Sequence, residues 1–197
     1  MESQEASIAI VDYGAGNLTS VKNAFAALGV ETVVTRDPAV VAAAARVVFP
    51  GVGAALSAME SLRSIGLESA VKSAAASGRP FLGICLGMQI LFEHSEEDGG
   101  VATLGVLPGR VRRFPKVPGV KVPQIGWNSV APGNEFYYFV HSYYPAPAEP
   151  SDIVCTTEYC GAPFASMVGR GSLAATQFHP EKSGRVGLKL LSDWLSI

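Results

Sequence analysis

The amino-acid sequence predicts an α/β fold: an open, mostly parallel central sheet with flanking helices, and antiparallel strands added toward the C-terminus. Three observations carry this. Short runs rich in Ile, Val and Phe, such as SIAIVDY at Ser7–Tyr13, are largely apolar rather than alternating, as in strands buried on both faces. Segments with apolar residues at helical spacing lie between them, which implies βαβ units with right-handed crossovers. After about residue 95, proline and glycine become frequent and strand-like runs follow one another without long helices.

Each element follows from its residues. Ser7–Tyr13 is the first strand. Gly14-Ala15-Gly16 turns the chain, Asn17 caps a helix, and Leu18, Val21, Phe25 and Leu28 keep helical spacing until Gly29. Thr32–Thr35 is a second strand and Pro38–Ala45 a short alanine-rich helix. Val47–Phe49 is a third strand, ended by Pro50-Gly51-Val52-Gly53. Helices follow over roughly Ala54–Ile65 and Glu68–Ala76. Pro80–Ile84 is a fourth strand, and Leu86–Phe92 opens another helix. The later strands are Arg110–Phe114, Glu135–Val140, Ile153–Thr157, Phe164–Val168 and Leu173–Phe178, read as antiparallel additions to the sheet. Ser183–Leu195 closes the chain as a helix. No internal repeat or long linker interrupts the 197 residues, so one domain over residues 1–197 is expected.

Composition narrows the class. Hydrophobic residues make up 48% and charged residues 16%, which excludes a disordered, collagen-like or coiled-coil chain. Fifteen basic residues against seventeen acidic give a net charge of −2, and no basic run exceeds Arg112-Arg113, so no nucleic-acid partner is expected. Cys85, Cys155 and Cys160 are too few and too oddly numbered for a disulfide scaffold, which suits a reducing compartment. Cys155 and Cys160 lack a second well-spaced pair, so no metal is expected. The N-terminus has no positive segment before its apolar stretch, and Pro80–Phe92 is too short to span a bilayer. A cytoplasmic chain without a membrane partner is the expectation.

Gly83-Ile84-Cys85-Leu86-Gly87 lies between an apolar strand and a helix, the cysteine form of a nucleophile elbow. A tight strand-to-helix turn strains the nucleophile's backbone and leaves no room for neighbouring side chains, hence the glycines. It lifts the sulfur to the C-terminal edge of the sheet, where open α/β sheets bind ligands. It also sets Cys85 at a helix N-terminus, which favours a thiolate, and makes the Leu86 N–H a natural oxyanion donor. A lone cysteine is more often an inert buried thiol, so the elbow needs company. A thiol nucleophile needs a base. Of His94, His141 and His179, the last stands just after a predicted strand in Phe178-His179-Pro180-Glu181. Glu181 can turn to one imidazole nitrogen while the other faces the thiol. His94 reads as a helix-end residue. His141, after Tyr138-Phe139-Val140, either lines the pocket or is a satisfied, stacked histidine.

With Pro50-Gly51-Val52-Gly53, Gly83–Gln89 and Phe178–Glu181 in this order, the chain resembles the class I (triad) glutamine amidotransferases over nearly its whole length. Asp12–Asn17, Gly126-Trp127-Asn128, Tyr138–Tyr143 and His179–Ser183 resemble one branch, the glutaminase subunits of imidazole glycerol phosphate synthase in histidine biosynthesis. The resemblance implies a flavodoxin-like fold and no cofactor. Cys85 would attack the side-chain amide of L-glutamine. His179 would protonate departing ammonia and then activate water, oriented by Glu181. Gly51, Val52 and Gly53 would complete the oxyanion hole with Leu86, at about 3 kcal/mol per donor. Gln89 would hold the substrate, Glu97 its α-amino group, and His141, Ser142 and Tyr143 would complete the pocket. Ammonia would pass to a (β/α)₈ cyclase subunit, forming imidazole glycerol phosphate and AICAR, with Asn17, Trp127, Asn128 and Tyr138 at the interface. Trp127 also reads as a core aromatic, and Asn17 as only a helix cap.

Some positions depart from the branch's pattern. Ala55 and Leu56 follow PGVG where an aromatic is expected, Thr19 replaces a basic residue, and Gln124-Ile125 replaces His-Met. Three other readings stay open: a glutaminase serving a different synthase, a silent subunit that keeps the fold, and a different cysteine-elbow hydrolase.

Overall fold

The computed structural model describes residues 8–14 and 17–197; Ser7 of the first expected strand and Ala15-Gly16 of the first turn lie outside them. The elements run β1 (Ile8–Val11), α1 (Leu18–Ala27), β2 (Thr32–Thr35), α2 (Pro38–Ala43), β3 (Arg46–Gly51), α3 (Ala55–Ser64), α4 (Glu68–Ala76), β4 (Phe81–Cys85) and α5 (Leu86–Gln89). Then follow β5 (His94–Ser95), β6 (Val101–Ala102), β7 (Gly109–Arg113), β8 (Gln124–Val130), β9 (Glu135–His141), β10 (Tyr143–Pro147), β11 (Ile153–Tyr159), β12 (Ala162–Arg170), β13 (Leu173–Thr176) and α6 (Gly184–Leu195). A seven-stranded mixed sheet has the order β11-β12-β13-β4-β3-β1-β2, with every neighbouring pair from β13 to β2 parallel.

The central strands are buried on both faces because their apolar residues serve both. Ile8 and Ile10 pack with Val48, Leu82 and Ile84 against Val21 and Phe25 of α1 and Leu191 and Trp194 of α6. Ala9 and Val11 pack with Val47, Phe49 and Phe81 against Val41, Met59, Leu62 and Val71 of α2–α4. Helix caps match the sequence: the Asn17 side chain accepts from Ser20 N, and that of Asp37 from Ala39 N.

The second half differs from the expectation of simple additions to the sheet. Only β11 and β12 are antiparallel additions. The strand at 173–178 is a correction. It ends at Thr176 and, although antiparallel to β12, runs parallel to β4, because the hairpin from the reversed β12 restores the parent direction. β7 instead joins a small sheet of order β10-β7-β5-β6, and β9 pairs with β8 as a separate two-stranded ribbon. The helix expected over Leu86–Phe92 stops at Gln89. The carbonyls of Ile90, Leu91 and Phe92 are taken instead by backbone N–H groups of 104–107, so the loop replaces the next helical turn. An aromatic cluster of Phe114, Tyr137, Phe139, Phe164 and Phe178 packs the ribbon onto the main sheet. Among the described residues no helix is long and apolar enough to cross a membrane.

Candidate active site

Strand β4 runs into α5 with no intervening residue, and Cys85 makes the turn at φ 56°, ψ −109°, a conformation that L residues rarely adopt. The surrounding glycines are steric necessities. A Cβ on Gly87 would sit 1.9 Å from the Phe49 carbonyl oxygen, and one on Gly83 2.8 Å from the Gly87 oxygen. One on Gly51, which pairs in register with Cys85, would be 2.9 Å from Gly87 N. Backbone thus packs on backbone where β3, β4 and α5 meet, and the Cys85 side chain is driven to the sheet edge.

His179 is held on that edge through β9. Its N–H donates to the Tyr138 carbonyl at 2.9 Å, and its own carbonyl accepts from Ser183 Oγ at 2.6 Å. That same Oγ accepts from Tyr138 N at 3.0 Å. The imidazole Nδ1 lies 2.7 Å from Glu181 Oε1, with both side chains almost fully buried. Among the described residues Nε2 has no hydrogen-bond partner. Burial works against a charged ring, but the neighbouring Cys85 and then Glu181 outweigh it, and His179 is raised to about 10. The structure thus brings the expected nucleophile, base and orienter together.

Cys85 opens on a cleft of about 330 Å³ lined also by Val52, Gly53, Leu86, Gln89, Glu97, His141, Ser142 and Tyr143, with Pro123 and Val140. Leu86 opens α5, so its N–H has no acceptor within the helix. Gly51 does not line the cleft; it ends β3 beneath the turn. The N–H and carbonyl of Val52 both bond to the Tyr13 hydroxyl at 3.2 Å. Glu97 Oε2 accepts from Ala55 N at 2.7 Å at the start of α3, and burial raises its carboxyl. His141 is lowered to about 4, chiefly by burial, against a bond to the Tyr143 carbonyl and with a further push from His179. A neutral ring donates only once. With Nδ1 donating to that carbonyl at 2.8 Å, the Gln124 amide 3.1 Å from Nε2 must present its NH₂ group.

Of the expected interface residues, Trp127 is 55% exposed rather than a core aromatic, and lies edge-on to Tyr138, its register partner. Ile125 and Phe136 are exposed beside it on the ribbon. Asn128 turns its amide to the Glu158 carbonyl at 3.0 Å, fastening the ribbon to β11. Asn17 is half-buried at the head of α1, remote in sequence from the ribbon. Sequence reasoning missed Tyr13, Gln124 and Gln177 as parts of the site. Gln177 Nε2 lies 3.7 Å from Cys85 Sγ, and its only signal was an amide in an apolar segment.

A cysteine on a strained turn, beside a histidine whose far nitrogen is held by a buried carboxylate, is equipped for acyl transfer through sulfur. The family model for class-I glutamine amidotransferases matches residues 9–196. The imidazole glycerol phosphate synthase subunit HisH of Aromatoleum aromaticum is 51% identical, covering 96% of this chain and 97% of that protein. HisH of Methylococcus capsulatus is 48% identical, covering 96% and 95%. The chain belongs to the class-I glutamine amidotransferases, in the HisH branch. Solved structures agree in fold: a glutamine amidotransferase superposes with a TM-score of 0.75 at 19% identity, covering 95% of this chain and 97% of that one. A glutamine amidotransferase from Thermotoga maritima gives 0.61 at 17%, covering 97% and 83%.

Proposed function

We propose that this chain acts as one glutaminase domain over residues 1–197, the subunit of an imidazole glycerol phosphate synthase that hydrolyses L-glutamine in the cytoplasm and supplies ammonia for histidine biosynthesis. The observation that carries the chemistry is the grouping of Cys85, at the wall of a cleft sized for a small amino acid, with His179 and Glu181 buried beside it. The Cys85 sulfur attacks the side-chain amide carbon. The oxyanion meets the N–H of Leu86 and one from the Gly51-Val52-Gly53 loop. His179 protonates the leaving nitrogen, ammonia departs and a thioester remains. Water then adds, giving its proton to His179, the C–S bond breaks and glutamate leaves. Glu181 keeps the His179 ring oriented through Nδ1 and stabilises its charged form. Glu97 binds the α-ammonium of the substrate, with Gln89, His141, Ser142 and Tyr143 around the rest.

Ammonia is wasted if it escapes, so the reading includes a partner, a (β/α)₈ cyclase subunit. Its docking surface would include Asn17 and the ribbon residues Trp127, Asn128 and Tyr138; the exposed apolar face of the ribbon supports this. The test is glutamate release from glutamine, with thioester trapping by mass spectrometry, with and without the cyclase and a ligand in the cyclase site. Cys85→Ala should remain folded and form no thioester; residual turnover in it would overturn the assignment. Strong stimulation by the liganded cyclase is the expected result for the wild-type chain. Equal activity without it would keep the glutaminase and reject this partner.

A further inference from the structure

Two buried side chains, Gln89 and Gln177, link the cleft wall to the nucleophile. Gln89 Nε2 lies 2.8 Å from the Tyr143 carbonyl oxygen and 3.0 Å from Gln177 Oε1. A backbone carbonyl only accepts, so it is the NH₂ group of Gln89 that faces it, and this fixes which way the Gln89 amide lies. The second N–H of that group falls on Gln177, which must meet it with its oxygen. The NH₂ group of Gln177 is thereby turned the other way, onto Cys85 Sγ at 3.7 Å. Gln89 and Gln177 are almost wholly buried, and Gln177 is fixed further by its own N–H, which donates to the Ser166 carbonyl at 2.9 Å.

We propose that Gln177 is a positioning residue for the nucleophile: its amide, oriented in series by Tyr143 and Gln89, donates to the Cys85 sulfur and favours it as the thiolate. This rests on the glutaminase reading above. A thiol is a weak acceptor, whereas an anionic sulfur draws a charge-assisted bond. The contact therefore strengthens twice in the cycle. It does so before attack, while the sulfur pair is free to form the C–S bond. It does so again when the thioester breaks down and that pair returns to sulfur. In the thioester between, sulfur is neutral and the bond slackens. The same geometry spends both N–H donors of Gln89 inside the protein, so only its Oε1 is left to meet a substrate.

The test uses the full chain and the rate at which iodoacetamide alkylates Cys85 from pH 6 to 10, read on the Cys85 peptide so that Cys155 and Cys160 do not interfere. The titratable groups around the sulfur (His179 with Glu181 behind it, His141 and Tyr13) are retained in every variant. Gln177→Met keeps the volume and removes the donor; Gln177→Glu keeps the shape and replaces the donor with an anion. The expected result is about tenfold slower alkylation of Gln177→Met at neutral pH, recovered at high pH, and a larger displacement for Gln177→Glu. Should Gln177→Met fail to fold, Gln177→Glu alone gives the reading. A wild-type profile in a folded variant, or an equal loss at every pH, would overturn the proposal. Alkylation needs no glutamine, so failure of the glutaminase reading, seen as no thioester in the wild-type chain, is a separate result.

Discussion

Replacing Tyr13 with phenylalanine removes one oxygen and tests how the oxyanion loop is held. The ring is buried and stacked on Phe49 at 5.4 Å, so it stays where it is. What is lost is the clamp in which the hydroxyl accepts from Val52 N and donates to Val52 O, each at 3.2 Å. Two such bonds on a half-buried loop, where water can replace them, contribute about 1 kcal/mol, so melting should fall by about 2–4 °C. The effect on activity is larger. The C=O and N–H of a trans peptide point opposite ways. A Val52 carbonyl aimed at the buried hydroxyl therefore turns the N–H of Gly53, a residue that lines the cleft, away from that hydroxyl. Gly53 sits at φ 93°, and a Cβ there would meet nothing within 4 Å among the described residues, so their packing around that position does not fix the peptide. One oxyanion donor is worth about 3 kcal/mol, roughly a hundredfold in kcat. Tyr13→Phe should lose between about ten- and a hundredfold in kcat, with KM little changed, in a steady-state glutaminase assay with the cyclase present. Alkylation of Cys85 should be unaffected. Wild-type kcat, or a matching fall in alkylation that betrays a moved elbow, would refute the reasoning.

Two further outcomes follow from the packing and the charges. Gly87→Ala must displace the Phe49 backbone from 1.9 Å and should cost about 3 kcal/mol or more, whereas Gly53→Ala, strained in φ but in open space, should cost about 1–2 kcal/mol; urea midpoints compare them. His141, lowered to about 4 chiefly by burial against 6.5 when unfolded, gives stability that is complete above pH 6.5 and lost as pH falls toward 4, about 3 kcal/mol in all. His141→Gln should therefore narrow its stability gap to the wild-type protein over that range in urea titrations at successive pH values.

What was legible in the sequence were features written in consecutive residues. The parallel strands declared themselves by continuous apolar runs, and the elbow by glycines that backbone contact demands. Glu181 stands two residues from His179, so its partner could be named without a fold. The ribbon strand β8 was not read as a strand, since Gly126 at φ 131° and the polar Gln124, Asn128 and Ser129 break the usual alternation. The fate of 173–178 was hidden because direction in a mixed sheet depends on which strand lies beside it. Tyr13 and Gln177 were missed for a related reason. Each acts through a single atom that meets a partner 39 or 92 residues away, and nothing local marks such a meeting.

The long-range bonds also explain why an exposed ribbon belongs to a buried site. Tyr138 grips the His179 segment twice, by its carbonyl directly and by its N–H through Ser183. On β8, Gln124 faces His141, whose other nitrogen shares the Tyr143 carbonyl with Gln89, the residue that orients Gln177 toward the sulfur. Base and nucleophile are thus both tied by hydrogen bonds to the two strands that carry Trp127 and Phe136 into solvent. A two-stranded ribbon is marginal on its own and takes its set from what it packs against. On one side that is the aromatic cluster around Phe139 and Phe178. A partner protein resting on the other side would bear on the strands that fix His179 and, through two glutamines, Cys85.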